Sequence, residues 1–454
     1  MSNSVVPERD TFTGKFGILA AAIGSAVGLG NIWRFPYVTG ENGGGAFLLV
    51  YLFFVLAIGF PVLLAELSIG RRAQRNALGS FRKLAPGKPW YLVGLMGIVA
   101  AFMILAFYST IAGWCIEYLI QAVGNNFSGK TAEQLSTNFE TFHTGTFRPI
   151  IWQLLFMFLT AFIIFSGVKD GIEKYSKVLM PLLFVLIIVM AVWSVTLEGA
   201  SEGLKFFFNP DFSKLHWSSV LVALGQAAFS LSIGMGTLIT YGSYVKKETN
   251  LPVTAFQIAL SDTFFAVLAG VMIFPAVFAY NIDPAAGPGL TFVVLPNIFA
   301  QMPGGYVFGL LFFLLLCIAA LTSTVSVLEV PVAYFVEELK MTRSKATILG
   351  AVSISVLGVF ATLSFGALKN ALFLGKSIFD WLDYLSANIL LPLGAIFIVV
   401  FVGWYLGSKV FKDEISNGGI LDVKIHGILM VVLKYLAPIG IALVFIYGIF
   451  GGMF

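Results

Sequence analysis

Charge is scarce in this chain. Asp, Glu, Lys and Arg make up 11% of its 454 residues, whereas a soluble globular domain holds about 25%. That is too little polar surface to cover a protein of this size in water, so the solvent for most of it is a lipid bilayer. A soluble enzyme and a nucleic-acid reader are excluded as readings of the whole chain. Histidine is nearly absent. His143, His216 and His426 are scattered at loop or span edges and form no ligand or catalytic motif. No nucleophile–base pair is visible, so a membrane enzyme is the weakest reading. Cysteine is limited to Cys115 and Cys317, each inside an apolar run. This argues against a disulfide scaffold and makes both residues buried small hydrophobes. The stretch from Met1 to Lys15 carries Glu8, Arg9, Asp10 and Lys15. It lacks the short apolar core and cleavage site of a signal peptide, so it reads as a retained cytoplasmic segment.

Apolar residues are what the chain does have, at 58% with a mean hydropathy of +0.93. A span needs about 20 apolar residues. Eleven runs qualify: 14–37, 42–70, 90–124, 148–167, 171–197, 216–243, 252–280, 303–337, 346–365, 372–406 and 425–452. They lack the alternation of a barrel strand, so they are expected as helices. Lys and Arg divide unevenly between the connecting segments. Nineteen fall on one side, led by Arg71, Arg72, Arg75, Arg82, Lys83 and Lys88, and six on the other. By the positive-inside rule the N-terminus is cytoplasmic, and an odd span count places the C-terminus outside. The long connections 125–147 and 281–302 are then external. The second is partly apolar, so it is either a lid over a vestibule or an ordinary packed loop.

Two spans carry residues that do not suit a membrane helix. Span one contains Gly24, Gly28, Gly30, Asn31, Arg34 and Pro36, and span six reads Phe229-Ser-Leu-Ser-Ile-Gly-Met-Gly236. Glycine costs a helix interior about 1 kcal/mol and proline about 3, so both spans are expected to unwind in the middle. Either segment alone could instead be a close helix contact through small residues. The two interruptions lie five spans apart. That spacing implies repeats of opposite topology at 1–200 and 201–408, with 409–454 as an added span. Paired interruptions of this kind point to a transporter site, because a broken helix frees N–H groups for a carboxylate and carbonyls for cations.

The residues that carry this pattern also resemble a known family. GSAVGLGNIWRFPYVTGENGGGAF (24–47), GFPVLLAELSIGRR (59–72), GQAAFSLSIGMGTLITYGSY (225–244) and LTSTVSVLEV (321–330) resemble the neurotransmitter:sodium symporters, bacterial members above all. The resemblance implies an all-α integral membrane fold of the leucine-transporter type, with a 5+5 inverted repeat and broken helices 1 and 6. It also implies a bacterial-type plasma membrane location and two sodium sites. The first would use Ala26, Asn31, Ser230 and Asp262, where the family usually has Asn at the last position and a one-residue slip would select Ser261. The second would use Gly24, Val27, Ala319, Thr322 and Ser323. The hydroxyls of Thr322, Ser323 and Thr324 could equally bond back to their own helix.

The implied substrate pocket comprises Ala26, Gly28, Leu29, Gly30, Ile104, Tyr108, Phe229, Ser230, Ser232, Met235, Ser323 and Val327. The Leu29 and Gly30 N–H groups would take a carboxylate, and no lining residue is charged. Met235 stands where a leucine-selective relative has a bulky aromatic, which favours a roomier pocket for aliphatic and aromatic L-amino acids such as leucine or tryptophan. Ser25 also departs from that relative. Arg34 and Asp383 resemble an external gate bridged by water. Arg9 and Glu337 resemble an internal one, with Tyr244, Gln226 and Phe12 in support. Gly171 and Pro181 resemble a helix-breaking element that can unwind.

Ala266 stands where chloride-using relatives have a hydroxyl, and Asp262 supplies a fixed negative charge, so transport is expected to be chloride-independent. The other readings are an amino-acid sensor and a proton-coupled carrier using Asp262 or Glu66. Glu66 is placed near the interface by its closeness to Arg71. Lys434, inside the last span, is left without a role: it snorkels or faces protein.

Overall fold

The computed structural model describes residues 11–280 and 291–450, which are helical with one isolated β-bridge between Phe373 and Lys376. Nine described helices are long and apolar enough to cross a membrane: Gly45–Ala73, Tyr91–Val123, Phe147–Phe165, Val168–Val195, Leu251–Ala279, Gly305–Glu337, Arg343–Leu363, Ile378–Ile415 and His426–Phe450. A tenth counts if Lys15–Ala26 and Gly30–Glu41, bent by 48° to each other, form one span. The expected sixth span divides into Trp217–Ser230 and Thr237–Gly242, each too short to cross alone. Cys115 and Cys317 are both free thiols.

Burial separates a scaffold from a rim. The most apolar stretch of Gly305–Glu337 is 72% buried and that of His426–Phe450 only 33%, so the first is central and the second faces lipid. Tyr91–Val123 packs lengthwise against the central helix. Short helices close the ends, among them Ala77–Leu84, Ala132–His143, Ala200–Phe208 and Val294–Gln301. The last belongs to the long connection expected at 281–302. Its Leu295, Ile298 and Phe299 are buried, with Phe299 against Phe308 and Phe312. The first half of that connection lies outside the described residues.

Both interruptions have local causes. Val27 is extended at φ −75°, ψ 111°, which ends Lys15–Ala26. Beyond Ser230, three of the next six residues take positive φ: Ser232 at +55°, Gly234 at +87° and Gly236 at +76°. Glycine does this freely. Serine at such an angle costs about 1 kcal/mol, offset here by its hydroxyl donating to the Ser25 carbonyl at 3.2 Å. That bond holds the two interruptions together. The Gly234 N–H donates to Glu66 Oε1 at 2.8 Å, so a backbone group freed by the unwinding is satisfied by a side chain. Glu66 is therefore fully buried at the second interruption rather than interfacial. Its helix turns position 66 inward while Arg71 reaches the end of the bundle.

Gly234 cannot carry a side chain. A Cβ there would overlap the Leu391 carbonyl oxygen at an angle already unfavourable for L-residues. Gly234→Ala is expected to cost at least about 2 kcal/mol, read as a lowered melting temperature in detergent. An unchanged melt would show that the segment relaxes freely.

Candidate functional site

The two interruptions meet at mid-bundle, and the space they leave is bounded by Tyr91–Val123 and Gly305–Glu337. It is lined by Ser25, Ala26, Gly28, Gly30, Ile104, Leu105, Tyr108, Phe229, Ser230, Ser232, Met235, Ser323 and Val327. Every residue named for the pocket from sequence lines it except Leu29. Leu29 instead points its side chain into the core and contributes its N–H, which donates to the Tyr108 hydroxyl at 3.2 Å. Ser25 and Leu105 are additions. Ser25 was visible only as a departure from a relative, and Leu105 follows Ile104 on a helix too uniformly apolar for its sequence to mark a pocket face. None of the lining residues is charged.

Beside the pocket lies a buried polar knot. The Asn31 amide donates from Nδ2 to Asp262 Oδ1 at 2.7 Å, to the Asp262 carbonyl at 3.1 Å and to Ser230 Oγ at 3.0 Å. Ser230 donates to Asp262 Oδ2 at 2.7 Å, and the Tyr51 hydroxyl approaches Ser230 at 3.4 Å. Asn31 Oδ1 accepts the Gly28 N–H at 3.1 Å. All three side chains are essentially unexposed. The register at 262 is clear: Asp262 faces this knot, and Ser261 lines a separate apolar cleft with Phe16, Leu19 and Phe264. A half-turn of the Asn31 amide would bring Oδ1 beside Ser230 Oγ and the Asp262 carboxylate. Oxygens of this kind suit a hard monovalent cation.

The residues named for a second cation also converge. Ser323 Oγ donates to the Val27 carbonyl at 3.3 Å, across from one helix to the other. Thr322 bonds back to the Ala319 and Ile318 carbonyls of its own helix at 3.0 and 3.2 Å. Gly24 packs so tightly that an added Cβ would lie 3.2 Å from Thr322 Cβ and 3.1 Å from the Met180 sulfur.

On one side of the pocket the Arg34 guanidinium lies over the Phe229 ring, 4.4 Å from its centroid. No direct ion pair joins Arg34 to Asp383 among the described residues. At the opposite end Glu337 accepts from the Asn76 N–H and side-chain amide at 2.8 and 3.0 Å. Arg9, its expected partner, lies outside the described residues. Phe12 packs on Tyr244, its N–H donating to the Tyr244 carbonyl at 3.2 Å and its ring edge-on to the Tyr244 ring.

Gln226 does not belong to this cluster. Its amide donates to the Gly30 carbonyl at 3.1 Å. It precedes the second interruption and Tyr244 follows it, so the unwound segment carries the two to different levels of the bundle. Gly171 lies in a wound π-helical turn, Val168–Glu173, against the Ile163 carbonyl, and Pro181 sits inside a helix that continues past it.

Sequence reasoning did not identify Glu173, which is buried and accepts the Thr13 N–H at 2.8 Å and Lys177 Nζ at 2.5 Å. It also missed Glu329, which accepts both ends of the Arg343 guanidinium at 2.6 and 3.0 Å and the Tyr244 hydroxyl at 2.7 Å. The only available signal for Glu329 was an acidic residue inside an apolar run, and Glu173 was hidden among the charges of Lys169, Asp170, Lys174 and Lys177.

The sequence matches the sodium:neurotransmitter symporter family over residues 9–141 and 126–451. It is 49% identical to MhsT, whose crystal structure in complex with L-phenylalanine superposes with a TM-score of 0.89 over 97% of this chain and 100% of that one. An uncharacterized sodium-dependent transporter of Bacillus subtilis, YhdH, is 39% identical over 95% of this chain and 96% of its own length. The sodium-dependent serotonin transporter of Drosophila melanogaster is 29% identical over 98% of this chain and 77% of its own. A helical membrane bundle with paired interruptions around a central pocket, matched along nearly its whole length, is a sodium-coupled transporter rather than an enzyme, and the chain belongs to the sodium:neurotransmitter symporter family.

Proposed function

We propose that this transporter imports hydrophobic L-amino acids, aliphatic and aromatic, together with sodium by alternating access and without chloride. The observation that carries this is the uncharged pocket at the two interruptions, set directly against the Asn31–Ser230–Asp262 knot. A zwitterion can be held there mainly by backbone groups, with no charged side chain. The Leu29 and Gly30 N–H groups and the Tyr108 hydroxyl face its carboxylate, and the carbonyls of Ala26, Phe229 and Ser230 face its ammonium. Ile104, Met235 and Val327 surround its side chain with apolar surface, and Met235 adapts to different shapes. The relative solved with L-phenylalanine supports an apolar side chain.

Two sodium ions fit the donor sets. One takes Ala26, Asn31, Ser230, Asp262 and the substrate carboxylate, which couples it to substrate. The other takes the Gly24, Val27 and Ala319 carbonyls with Thr322 and Ser323, which ties the Lys15–Ala26 helix to the scaffold. The full reading has eleven spans in two inverted repeats plus one, with a cytoplasmic N-terminus and an external C-terminus. Phe229 and the Arg34–Asp383 pair close the outer side. Release of the N-terminal segment and unwinding near Gly171 and Pro181 open the inner side.

The test is uptake of labelled leucine and tryptophan into proteoliposomes under an inward sodium gradient. Concentrative uptake of both is expected, abolished without sodium and unchanged when gluconate replaces chloride. Uptake indifferent to sodium would overturn the ion sites. A sharp loss in gluconate would overturn chloride independence.

A further inference from the structure

Lys434 is a charged residue on a lipid-facing helix, and the transport cycle gives it no task. It sits in a π-helical turn of His426–Phe450, between the exposed Val431 and Tyr435. No carboxylate lies within ion-pair distance of it among the described residues. A bare ammonium among acyl chains is costly, and such residues are paired or drawn toward the headgroups.

Its surroundings are built to hold the side chain in one place. The stem lies across Gly403 of the neighbouring Ile378–Ile415 helix, where an added Cβ would be 3.1 Å from Lys434 Cγ. The ammonium rests 5.4 Å from the Trp404 ring centroid. The Trp404 indole N–H donates to the Lys434 carbonyl at 3.2 Å, and its ring meets Tyr435 edge-on at 5.6 Å. The tryptophan therefore fixes both ends of the lysine. Helix side chains tend to tilt toward the helix N-terminus, which here is the His426 end. Lys434 is eight residues along from His426, about 12 Å at helical rise. That end of the bundle carries a polar cleft of mixed charge, with Arg72, Lys83 and Lys247 beside Glu248, Asp413 and Glu414. Trp404 and Tyr435 are the amphipathic residue types that settle at headgroup level.

We propose that Lys434, steadied by Trp404, is a binding site for the phosphate of an anionic phospholipid seated in the groove between Ile378–Ile415 and His426–Phe450. The lipid supplies the counter-charge the protein lacks, and its acyl chains lie along the exposed faces of the two helices. A phosphate oxygen accepts hydrogen bonds from the ammonium on the side away from the indole. Free phosphate shares this chemistry but brings no chains to fill the groove, so the lipid is the favoured source.

The test is native mass spectrometry of the full-length detergent-purified protein titrated with phosphatidylglycerol, phosphatidylcholine and inorganic phosphate. The first phosphatidylglycerol is expected to bind about fivefold more tightly than phosphatidylcholine, the gain from one cation near an anionic headgroup. Lys434→Met keeps the stem over Gly403 and should lose that preference. Lys434→Arg should keep it, and Lys345→Gln, at the same end but outside the groove, should leave it intact. A preference that survives Lys434→Met overturns the proposal. So does an equal loss in Lys345→Gln, which would indicate diffuse surface charge. Displacement of the lipid by an equal concentration of inorganic phosphate would overturn the lipid assignment. A melting curve of Lys434→Met in phosphatidylcholine that matches the parent confirms that lost binding is not lost folding.

Discussion

Gly28→Ala is expected to lower apparent substrate affinity by between tenfold and a hundredfold, with the protein still folded. An added Cβ would occupy the position of the Ser323 hydroxyl and lie 3.1 Å from Ser323 Cβ and 3.2 Å from the Tyr108 hydroxyl. Overpacking of this order costs about 1–3 kcal/mol, and here it falls on the atoms that would face the substrate's carboxylate. Gly30→Ala is the comparison. Its Cβ would meet only the edge of the Phe229 ring at 3.2 and 3.4 Å, a milder contact than the one with Ser323, so the loss should be several times smaller. Equilibrium binding of labelled leucine to both variants gives the ratio. Equal, mild losses would show that Gly28 does not form the pocket floor.

Asp262→Asn is expected to raise the sodium concentration for half-maximal uptake by about 10- to 100-fold. Hydrogen bonds and ion contacts to a charged group are worth about 1.5–3 kcal/mol each, and this carboxylate is the only formal charge in the knot it shares with Asn31 and Ser230. Asparagine keeps the shape and one carbonyl oxygen, so folding should survive. The assay is sodium titration of leucine uptake in proteoliposomes. An unchanged sodium dependence would remove Asp262 from the ion's ligands.

Most of the bundle could be read from the sequence because burial in lipid demands long apolar runs, and their lengths set the spans. The first and sixth runs differ in form: Val27 ends the first helix early, and positive φ at Ser232, Gly234 and Gly236 divides the sixth run into two short helices. The glycines announced the interruption without giving its geometry. The lining residues were legible because the resemblance names them by motif position, and those positions do surround one cavity. The polar clamps around it were not. Glu173 and Thr13 are 160 residues apart, and Glu66 reaches Gly234 across 168, so no local pattern links either pair. Gln226 was misplaced for the same reason: a position next to a broken segment does not reveal which side of the break it serves.

Asp262 has a further consequence, in how membrane voltage acts on the cycle. A zwitterionic amino acid carries no net charge. Under the two-sodium reading, an ionised Asp262 leaves the loaded carrier's ion sites with one net positive charge and the empty carrier's with one negative. A potential of 100 mV acts on each unit charge with about 2.3 kcal/mol. An inside-negative membrane therefore helps in both directions, drawing the loaded sites inward and pushing the empty sites back out. A neutral residue at 262 would leave the empty return indifferent to voltage.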